Sequence, residues 1–240
     1  MEQVYQTQTI IAPSLGDAAG KLGYDRAFTL FMDLAGAHSD VLGTGVPAML
    51  ERGLFWLAVR SKARFYRRPF IGEPVVLRTW PEQPGKARVT RSYEIEQDGE
   101  IAVAAKTDWA VLRTDTHAIA PLAGVFPPEL EYEQPSACPE PFAALPRSFE
   151  PEQILGEYKV RSVDIDLGGH MNNAAYLPAA LGFFSNEDLA GLDIGCIDLA
   201  FRLPCLEGEV LELACRRGEE GLDLAFMKEG RPAFIARLSR

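Results

Sequence analysis

The sequence predicts an α+β fold of two tandem units, in each of which an antiparallel sheet wraps around one long helix. Segments 63–77 and 199–213 share a pattern at an offset of 136 residues, and both contain a Gly-Glu pair, beginning at Gly72 and Gly208. A predicted helix precedes each segment and further strands follow it. One such match could arise by chance, and a chain of 240 residues allows either one large core or two packed units. The repeated order of elements favours two similar units.

Both predicted helices show apolar residues at helical spacing. The first spans 26–42, and Gly43 supplies a suitable stop. The second spans 173–189, with Asn172 or Asn173 as its N-cap. The strands that follow each repeated segment are joined by turn dipeptides, Asp-Gly in the first half and Glu-Gly in the second. These predicted strands are 89–97, 100–113, 222–228 and 232–238.

A proline-rich stretch separates the two halves. Residues 120–151 contain eight prolines, which is typical of an extended linker. We therefore predict an N-terminal domain at 1–125, a linker at 126–152 and a C-terminal domain at 153–240.

Composition places the chain among ordinary soluble globular proteins. It is 47% hydrophobic and 24% charged. The polar start at residues 1–9 and the lack of an apolar run of roughly 20 residues predict no targeting segment and no membrane span. The four cysteines have no C-x-x-C spacing, so reduced thiols in the cytoplasm are favoured over disulfides.

Charge excludes one class of partner and suggests another. A formal net charge of −10 argues against general nucleic-acid binding. Residues 60–113 nevertheless carry 11 basic against 7 acidic side chains, an excess of +4. This region could bind an acidic partner, or its charges could be the solvated faces of strands.

The segment 164–173 contains the candidate catalytic residues. It carries the pattern Asp-x-x-x-His through Asp166 and His170, immediately before a predicted helix. A histidine there can act as a base or hold a water, and the aspartate can accept a hydrogen bond from its ring. The alternative is a structural histidine capped by Asp166. The three His residues are far apart in sequence and show no metal-ligand spacing, so no metal site is predicted.

Small and amide residues complete this segment. Gly168 and Gly169 would let a substrate carbonyl approach the backbone closely, and N–H groups at the helix start would bind its oxygen. Asn172 and Asn173 are either helix caps or groups that orient Asp166 or the substrate.

The chain resembles the plant and bacterial acyl-acyl-carrier-protein (acyl-ACP) thioesterases over nearly its whole length. The residues that carry this resemblance are 45–49, 55–60, 66–69, 77–80, 160–166, 169–177 and 201–205. The resemblance implies a double hotdog fold, two tandem units each with a curved antiparallel sheet around a central helix. It also implies hydrolysis of a fatty acyl thioester on acyl-carrier protein, without a cofactor, by a water that His170 and Asp166 activate.

The resemblance gives the two halves different roles. The C-terminal half is expected to be catalytic, and the N-terminal half is expected to bind the acyl chain. Phe31, Met49 and Trp56 are candidates for the walls of an acyl tunnel, although ordinary core packing is the favoured interpretation of each. The basic stretch 60–91 is the expected dock for acyl-carrier protein. The first half contains Asp33 and His38 on its helix but no Asp-x-x-x-His pattern.

Two positions depart from the family pattern. Gly168 stands where many members have Asn, and Pro204 stands where plant members have Glu. Cys205 stands at a position proposed as a nucleophile, but no neighbour in sequence would lower the pKa of its thiol. We therefore expect Cys205 to line the site, while a water attacks the thioester.

Three other functions stay open at this point. The chain could hydrolyse acyl-CoA, since both carriers share the phosphopantetheine arm. It could be a non-catalytic acyl-binding module, or a dehydratase of the same superfamily. A homodimer is one of the oligomeric states left open.

Overall fold

The computed structural model describes residues 2–240, which divide after Glu140 into two compact units, an N-terminal one and a C-terminal one. Each unit contains one antiparallel sheet and one central helix, so the predicted tandem α+β fold is confirmed. No helix in the described part of the chain is long and apolar enough to cross a bilayer.

The N-terminal unit forms its sheet in the order β1-β3-β4-β5-β2, and β6 pairs with β5. All of these pairings are antiparallel. The strands are β1 (Tyr5–Ile10), β2 (Leu54–Phe65), β3 (Pro74–Pro81), β4 (Arg88–Gln97), β5 (Glu100–Arg113) and β6 (Ile119–Ala120). The helices are α1 (Tyr24–Val41) and α2 (Val46–Glu51).

Helix α1 forms because its apolar residues fall on one face. Its buried side chains recur after every three or four residues along one face, at Ala27, Phe28, Phe31, Leu34, Ala35 and His38. The ring of Phe31 packs on Tyr93 of β4, with ring centroids 5.0 Å apart. The chain turns away after the helix at Gly43, whose φ of +67° favours glycine.

The C-terminal unit repeats this topology. Its sheet order is β7-β9-β10-β11-β8, which matches the N-terminal order strand for strand. The strands are β7 (Gln153–Lys159), β8 (Cys196–Phe201), β9 (Val210–Gly218), β10 (Gly221–Lys228) and β11 (Arg231–Ser239). The helices are α3 (Asn173–Leu181) and α4 (Asn186–Gly191). Tyr176 of α3 stacks on Phe234 of β11 with ring centroids 5.0 Å apart, which fixes the helix on the sheet.

The single helix predicted over 173–189 is wrong. Helix α3 ends at Leu181, and α4 begins separately. The cause is local, because Ser185 and Asp188 form a capping box that starts a new helix.

Residues 121–152, which include the predicted linker, contain no helix or strand. Their contacts are nevertheless specific. The Trp80 indole N–H donates to the carbonyl of Pro135 at 3.0 Å in the N-terminal unit. In the C-terminal unit, the Ala143 N–H donates to Asp198 at 2.8 Å, and Phe149 is buried in the core. The first part of the segment therefore packs on the N-terminal unit and its last part on the C-terminal unit.

A further difference from the sequence expectation concerns the N-terminal unit. Although this half has no Asp-x-x-x-His pattern, residues 16–22 form a turn just before α1. This N-terminal turn has the same backbone hydrogen bonds as the segment 165–171 before α3, which we call the C-terminal turn.

Candidate active site in the C-terminal unit

The C-terminal turn is held by two backbone hydrogen bonds. The Asp166 N–H donates to the carbonyl of His170 at 2.9 Å, and the Gly169 N–H donates to the carbonyl of Asp166 at 3.0 Å. Gly169 has a φ of +75°, a conformation that glycine adopts without strain. The turn therefore fixes Asp166 and His170 at its two ends.

The side chains of Asp166 and His170 both approach Gly168. A Cβ built on Gly168 would lie 3.1 Å from Asp166 Oδ1 and 3.7 Å from His170 Nδ1. The expected hydrogen bond from the His170 ring to Asp166 is not formed among the described residues. Asp166 Oδ1 instead accepts from the Gly168 N–H at 2.8 Å, because that donor is only two residues away. Within residues 2–240 the two side chains can therefore interact only through their charges, without a direct hydrogen bond.

The side-chain oxygen of Asn172 caps helix α3. It accepts from the Ala174 N–H at 2.9 Å, and the residue is exposed. Asn173 is the first helical residue and is half-buried. The oxygen of Asn172 is thus occupied by the cap, while its amide nitrogen has no partner within residues 2–240.

Most backbone N–H groups of this region already have partners. Those of Gly168, Gly169, Met171, Asn172 and Ala174 all donate within the C-terminal unit. No acceptor is found for the N–H groups of His170 and Asn173 in residues 2–240. Of the N–H groups from Gly169 to Asn173 that were expected to bind the thioester oxygen, these two therefore remain available.

Cys205 is fully buried and contacts the same turn. Its carbonyl accepts from the Met171 N–H at 2.8 Å, and its thiol is hydrogen-bonded to the Tyr176 hydroxyl. Burial raises the pKa of the Cys205 thiol, although the bond to Tyr176 acts in the opposite direction. A thiolate is therefore disfavoured at this position.

Glu209 is a residue of this site that the sequence did not single out. Burial alone would raise its pKa, but Lys228, the Leu206 N–H and the charge of His170 together lower it. Its carboxylate pairs with Lys228 Nζ at 2.8 Å and accepts from the Leu206 N–H at 2.9 Å. The repeated Gly-Glu pair was the available signal, because Glu209 is its second residue.

The predicted tunnel residues lie in the N-terminal unit and belong to two packed clusters. Phe31 and Met49 are each 1% exposed. Met49 packs with the half-buried Trp56, whose indole N–H donates to the carbonyl of Thr44 at 2.8 Å, whereas Phe31 packs on Tyr93. The structure therefore gives Phe31 and Met49 the packing of core residues.

The N-terminal unit also contains an open cavity of about 280 Å³. Its lining is polar and acidic, with Glu2, Glu131 and Glu133 among the side chains. An acyl chain would gain little from such a lining.

Residues 2–240 contain no group of three or more metal-ligating side chains.

His38 and Arg91 form a buried polar pair rather than a catalytic one. Arg91 Nη1 donates to His38 Nδ1 at 3.0 Å, and both residues are buried. Burial and the charge of Arg91 lower the pKa of His38 to about 4, so the ring is neutral at pH 7. Tyr5 stacks on the other side of this ring.

Most of the basic residues in 60–113 are engaged within the N-terminal unit. Arg60 pairs with Asp108, Arg67 with Glu100, Arg68 with Asp17, and Arg78 with Glu94 and Glu96. Lys62, Arg91 and Lys106 are buried. Three basic side chains of the stretch are exposed and form no ion pair with the described residues, namely Lys86, Arg88 and Arg113. The positive charge that this stretch exposes without an ion pair is therefore smaller than its excess of basic over acidic residues suggests.

Comparison with protein families assigns both halves of the chain. Residues 2–124 match the model of the acyl-ACP thioesterase N-terminal domain, and residues 149–231 match that of the C-terminal domain. The chain belongs to the acyl-ACP thioesterase family. The resemblance inferred from the sequence is thereby confirmed. The relatives that match are thioester hydrolases.

Individual acyl-ACP thioesterases match at low identity. The palmitoyl-acyl carrier protein thioesterase of Cuphea hookeriana is 26% identical over 186 residues, covering 75% of this chain and 45% of the relative. The oleoyl-acyl carrier protein thioesterase 1 of Arabidopsis thaliana is 24% identical over 176 residues, covering 68% and 48%. Both are described as chloroplastic. This chain spans about half the length of the curated relatives that it matches.

Solved structures of acyl-ACP thioesterases share the fold along the whole chain. The 12:0-ACP thioesterase from Umbellularia californica has a TM-score of 0.82 at 17% identity, covering 100% of this chain and 97% of that one. An acyl-ACP thioesterase from Bacteroides thetaiotaomicron has a TM-score of 0.81 at 19% identity, covering 99% and 97%. The predicted double hotdog fold is confirmed.

Proposed function

We propose that this protein hydrolyses the thioester of a fatty acyl chain on acyl-carrier protein and releases the free fatty acid. The observation that carries the proposal is the geometry of the C-terminal turn in a chain that belongs to this family. There the side chains of His170 and Asp166 both approach Gly168, directly before helix α3. Membership in the family supports the substrate class.

In the proposed reaction, His170 acts as the general base. It removes a proton from a water that attacks the thioester carbonyl. The oxyanion accepts hydrogen bonds from the His170 and Asn173 N–H groups at the start of α3, where the helix dipole also favours negative charge. As the tetrahedral intermediate collapses, the C–S bond breaks and the pantetheine thiolate takes the proton from the imidazolium. The Asp166 carboxylate stabilises that imidazolium by charge.

Buried Cys205 supports a water nucleophile over a covalent one. A thiol with a raised pKa gives little thiolate at pH 7, and its hydrogen bond to Tyr176 keeps it in place. Cys205 instead positions the turn through its carbonyl, which accepts from the Met171 N–H.

The acidic carrier protein is proposed to dock on exposed basic side chains of the N-terminal unit. Lys86 and Arg88 lie before and at the start of β4, and Arg113 lies at the end of β5. Arg88 pairs in register with Ala110, so β5 ends close to where β4 begins. These three residues replace the whole stretch 60–91 as the candidate docking site.

The catalytic assignment is tested by His170→Ala. Hydrolysis of a medium-chain acyl-ACP should fall by at least about 10³-fold, because both the base and the acid for the leaving group are lost. The exposed His117 offers a matched control, and His117→Ala should keep full activity. Equal activity of His170→Ala and the parent would exclude the proposed role. Lack of hydrolysis by the parent, with retained binding of the acyl carrier, would favour the non-catalytic module.

The carrier is tested by assaying the same acyl group on acyl-carrier protein and on CoA. The double variant Lys86→Glu, Arg88→Glu should raise KM for acyl-ACP by about 5-fold or more and leave KM for acyl-CoA unchanged. Arg231→Glu changes an exposed charge of the C-terminal unit and serves as the control. A preference of the parent protein for acyl-CoA would contradict the assignment of the carrier.

We also predict that the protein is cytoplasmic and forms a homodimer. No disulfide joins the four cysteines within residues 2–240, which is compatible with a reducing compartment. Cell fractionation and analytical ultracentrifugation would test the two statements, and a plastid location would follow the curated relatives instead.

A further inference from the structure

The N-terminal turn, residues 16–22, has the backbone geometry of the catalytic turn. The Asp17 N–H donates to the carbonyl of Lys21 at 2.8 Å, and the Gly20 N–H donates to the carbonyl of Asp17 at 3.0 Å. The matching distances in the C-terminal turn are 2.9 and 3.0 Å. Gly20 has a φ of +72°, close to the +75° of the glycine at the matching position. Asp17 and Lys21 therefore stand where the C-terminal turn has its aspartate and histidine.

The loop that holds each turn is repeated as well. The Leu22 N–H donates to the carbonyl of Pro69 at 2.8 Å, and the Met171 N–H donates to the carbonyl of Cys205 at the same distance. The two acceptors are separated by 136 residues, the offset of the repeated segments. The residue before each acceptor therefore occupies the same place in its unit. In the N-terminal unit that residue is an arginine, and in the C-terminal unit it is a proline.

The arginine of the N-terminal unit, Arg68, neutralises the aspartate of its turn. It forms an ion pair with Asp17, donates to the carbonyl of Leu22 at 3.0 Å, and lies 4.2 Å from the ring centroid of Tyr24. Burial would raise the pKa of Asp17, but the hydrogen bond and charge of Arg68 lower it below its ordinary value. The N-terminal aspartate is therefore committed to a structural ion pair.

In the N-terminal turn, the aspartate accepts from the Lys21 N–H, whose counterpart in the C-terminal turn is the N–H of His170. Asp17 Oδ1 accepts from both the Ala19 N–H at 2.9 Å and the Lys21 N–H at 3.1 Å. Within residues 2–240, the Asp166 side chain accepts only from the glycine two residues later, at 2.8 Å. The His170 N–H then has no acceptor among residues 2–240. The unit with arginine at the loop position therefore has this N–H hydrogen-bonded, which we call a closed turn. The unit with proline there has an open turn, in which the N–H has no acceptor among the described residues.

We propose that position 204 determines whether the C-terminal turn is available for chemistry. Pro204 has no charge, so the carboxylate of Asp166 stays free of a cation and the N–H of His170 stays open to substrate. An arginine at this position would reproduce the Arg68–Asp17 pair and close the turn. Pro204 is thus an activity-determining residue that acts through Asp166, and the prediction for its activity rests on the proposed function.

The test places the arginine of the N-terminal unit at the matching position of the C-terminal loop, as Pro204→Arg. The uncharged Pro204→Gln separates the loss of proline from the gain of charge. Leu206→Arg adds the same charge to the same loop at an exposed side chain. We expect kcat/KM of Pro204→Arg to be at least about 30-fold below that of Pro204→Gln, because an ion-paired carboxylate no longer stabilises the imidazolium. Leu206→Arg should stay within about 3-fold of the parent.

A second readout does not depend on activity. The carboxyl pKa of Asp166, followed by carbon NMR, should fall by at least about one unit in Pro204→Arg and stay unchanged in Leu206→Arg. The reverse change, Arg68→Gln, should raise the carboxyl pKa of Asp17. An unchanged Asp166 titration in folded Pro204→Arg, or equal activity of the Arg and Gln variants, would overturn the proposal. A parent without thioesterase activity would refute the proposed function alone, since the titrations would still decide the role of position 204.

Discussion

Two adjacent glycines of the C-terminal turn predict different consequences of the same change to alanine. The backbone of Gly168 lies outside the left-handed region, but its new methyl group would lie 3.1 Å from Asp166 Oδ1. Gly169 has the opposite properties, with a φ of +75° and no atom within 4 Å of a new methyl group. Gly168→Ala should therefore disturb the site, whereas Gly169→Ala should strain the fold.

The geometry sets the size of both effects. Ordinary contacts at this kind of position begin at 3.4 Å, so the Asp166 carboxylate must move by a few tenths of an ångström. Since a misplacement of 1 Å can cost about 10²-fold in rate, we expect Gly168→Ala to lower kcat/KM by about 3- to 10-fold. Gly169→Ala places an alanine in the left-handed region and should lower the free energy of unfolding by about 1–2 kcal/mol.

The assay combines kcat/KM on acyl-ACP with urea unfolding followed by circular dichroism. Gly168→Ala should show an altered kcat/KM with little change in unfolding, and Gly169→Ala should show the lowered stability. If Gly168→Ala kept the parental kcat/KM, the position of the Asp166 carboxylate would not matter for the reaction. Equal stability of Gly169→Ala and the parent would show that the turn conformation is not strained by a side chain.

Three further predictions concern stability and the nucleophile. Burial and the charge of Arg91 lower the pKa of His38 from 6.5 to about 4 in the folded state, so the free energy of unfolding should fall by about 3 kcal/mol as pH drops through this window. His38→Asn should remove this part of the pH dependence, and an unchanged slope in urea titrations would contradict it. Cys205→Ala should lower kcat/KM by at most about 5-fold, and its complete inactivation would establish covalent catalysis. Asn172→Ala should cost about 1 kcal/mol in unfolding free energy while Asn172→Ser keeps most of it. A loss of activity common to both Asn172 variants would instead assign the amide a chemical role.

The architecture was largely readable from local patterns. The spacing of apolar residues in α1 and the turn dipeptides between β4 and β5 and between β10 and β11 need only neighbouring residues. The prediction failed at α4, where a capping box competes with helix continuation over a few residues. Strands β1 and β7 were not anticipated, because each pairs with a partner far along the chain.

The sequence by itself determined the tandem layout and located Asp166 and His170 before a helix, because both depend on short-range patterns. Only the tertiary structure decided what those side chains contact. The burial of Cys205, its bond to the Met171 N–H and the ion pair of Arg68 with Asp17 all depend on where the backbone places each group. Hydrogen bonds and ion pairs act over a few ångströms, and distances between segments far apart in sequence are set by packing of the whole unit.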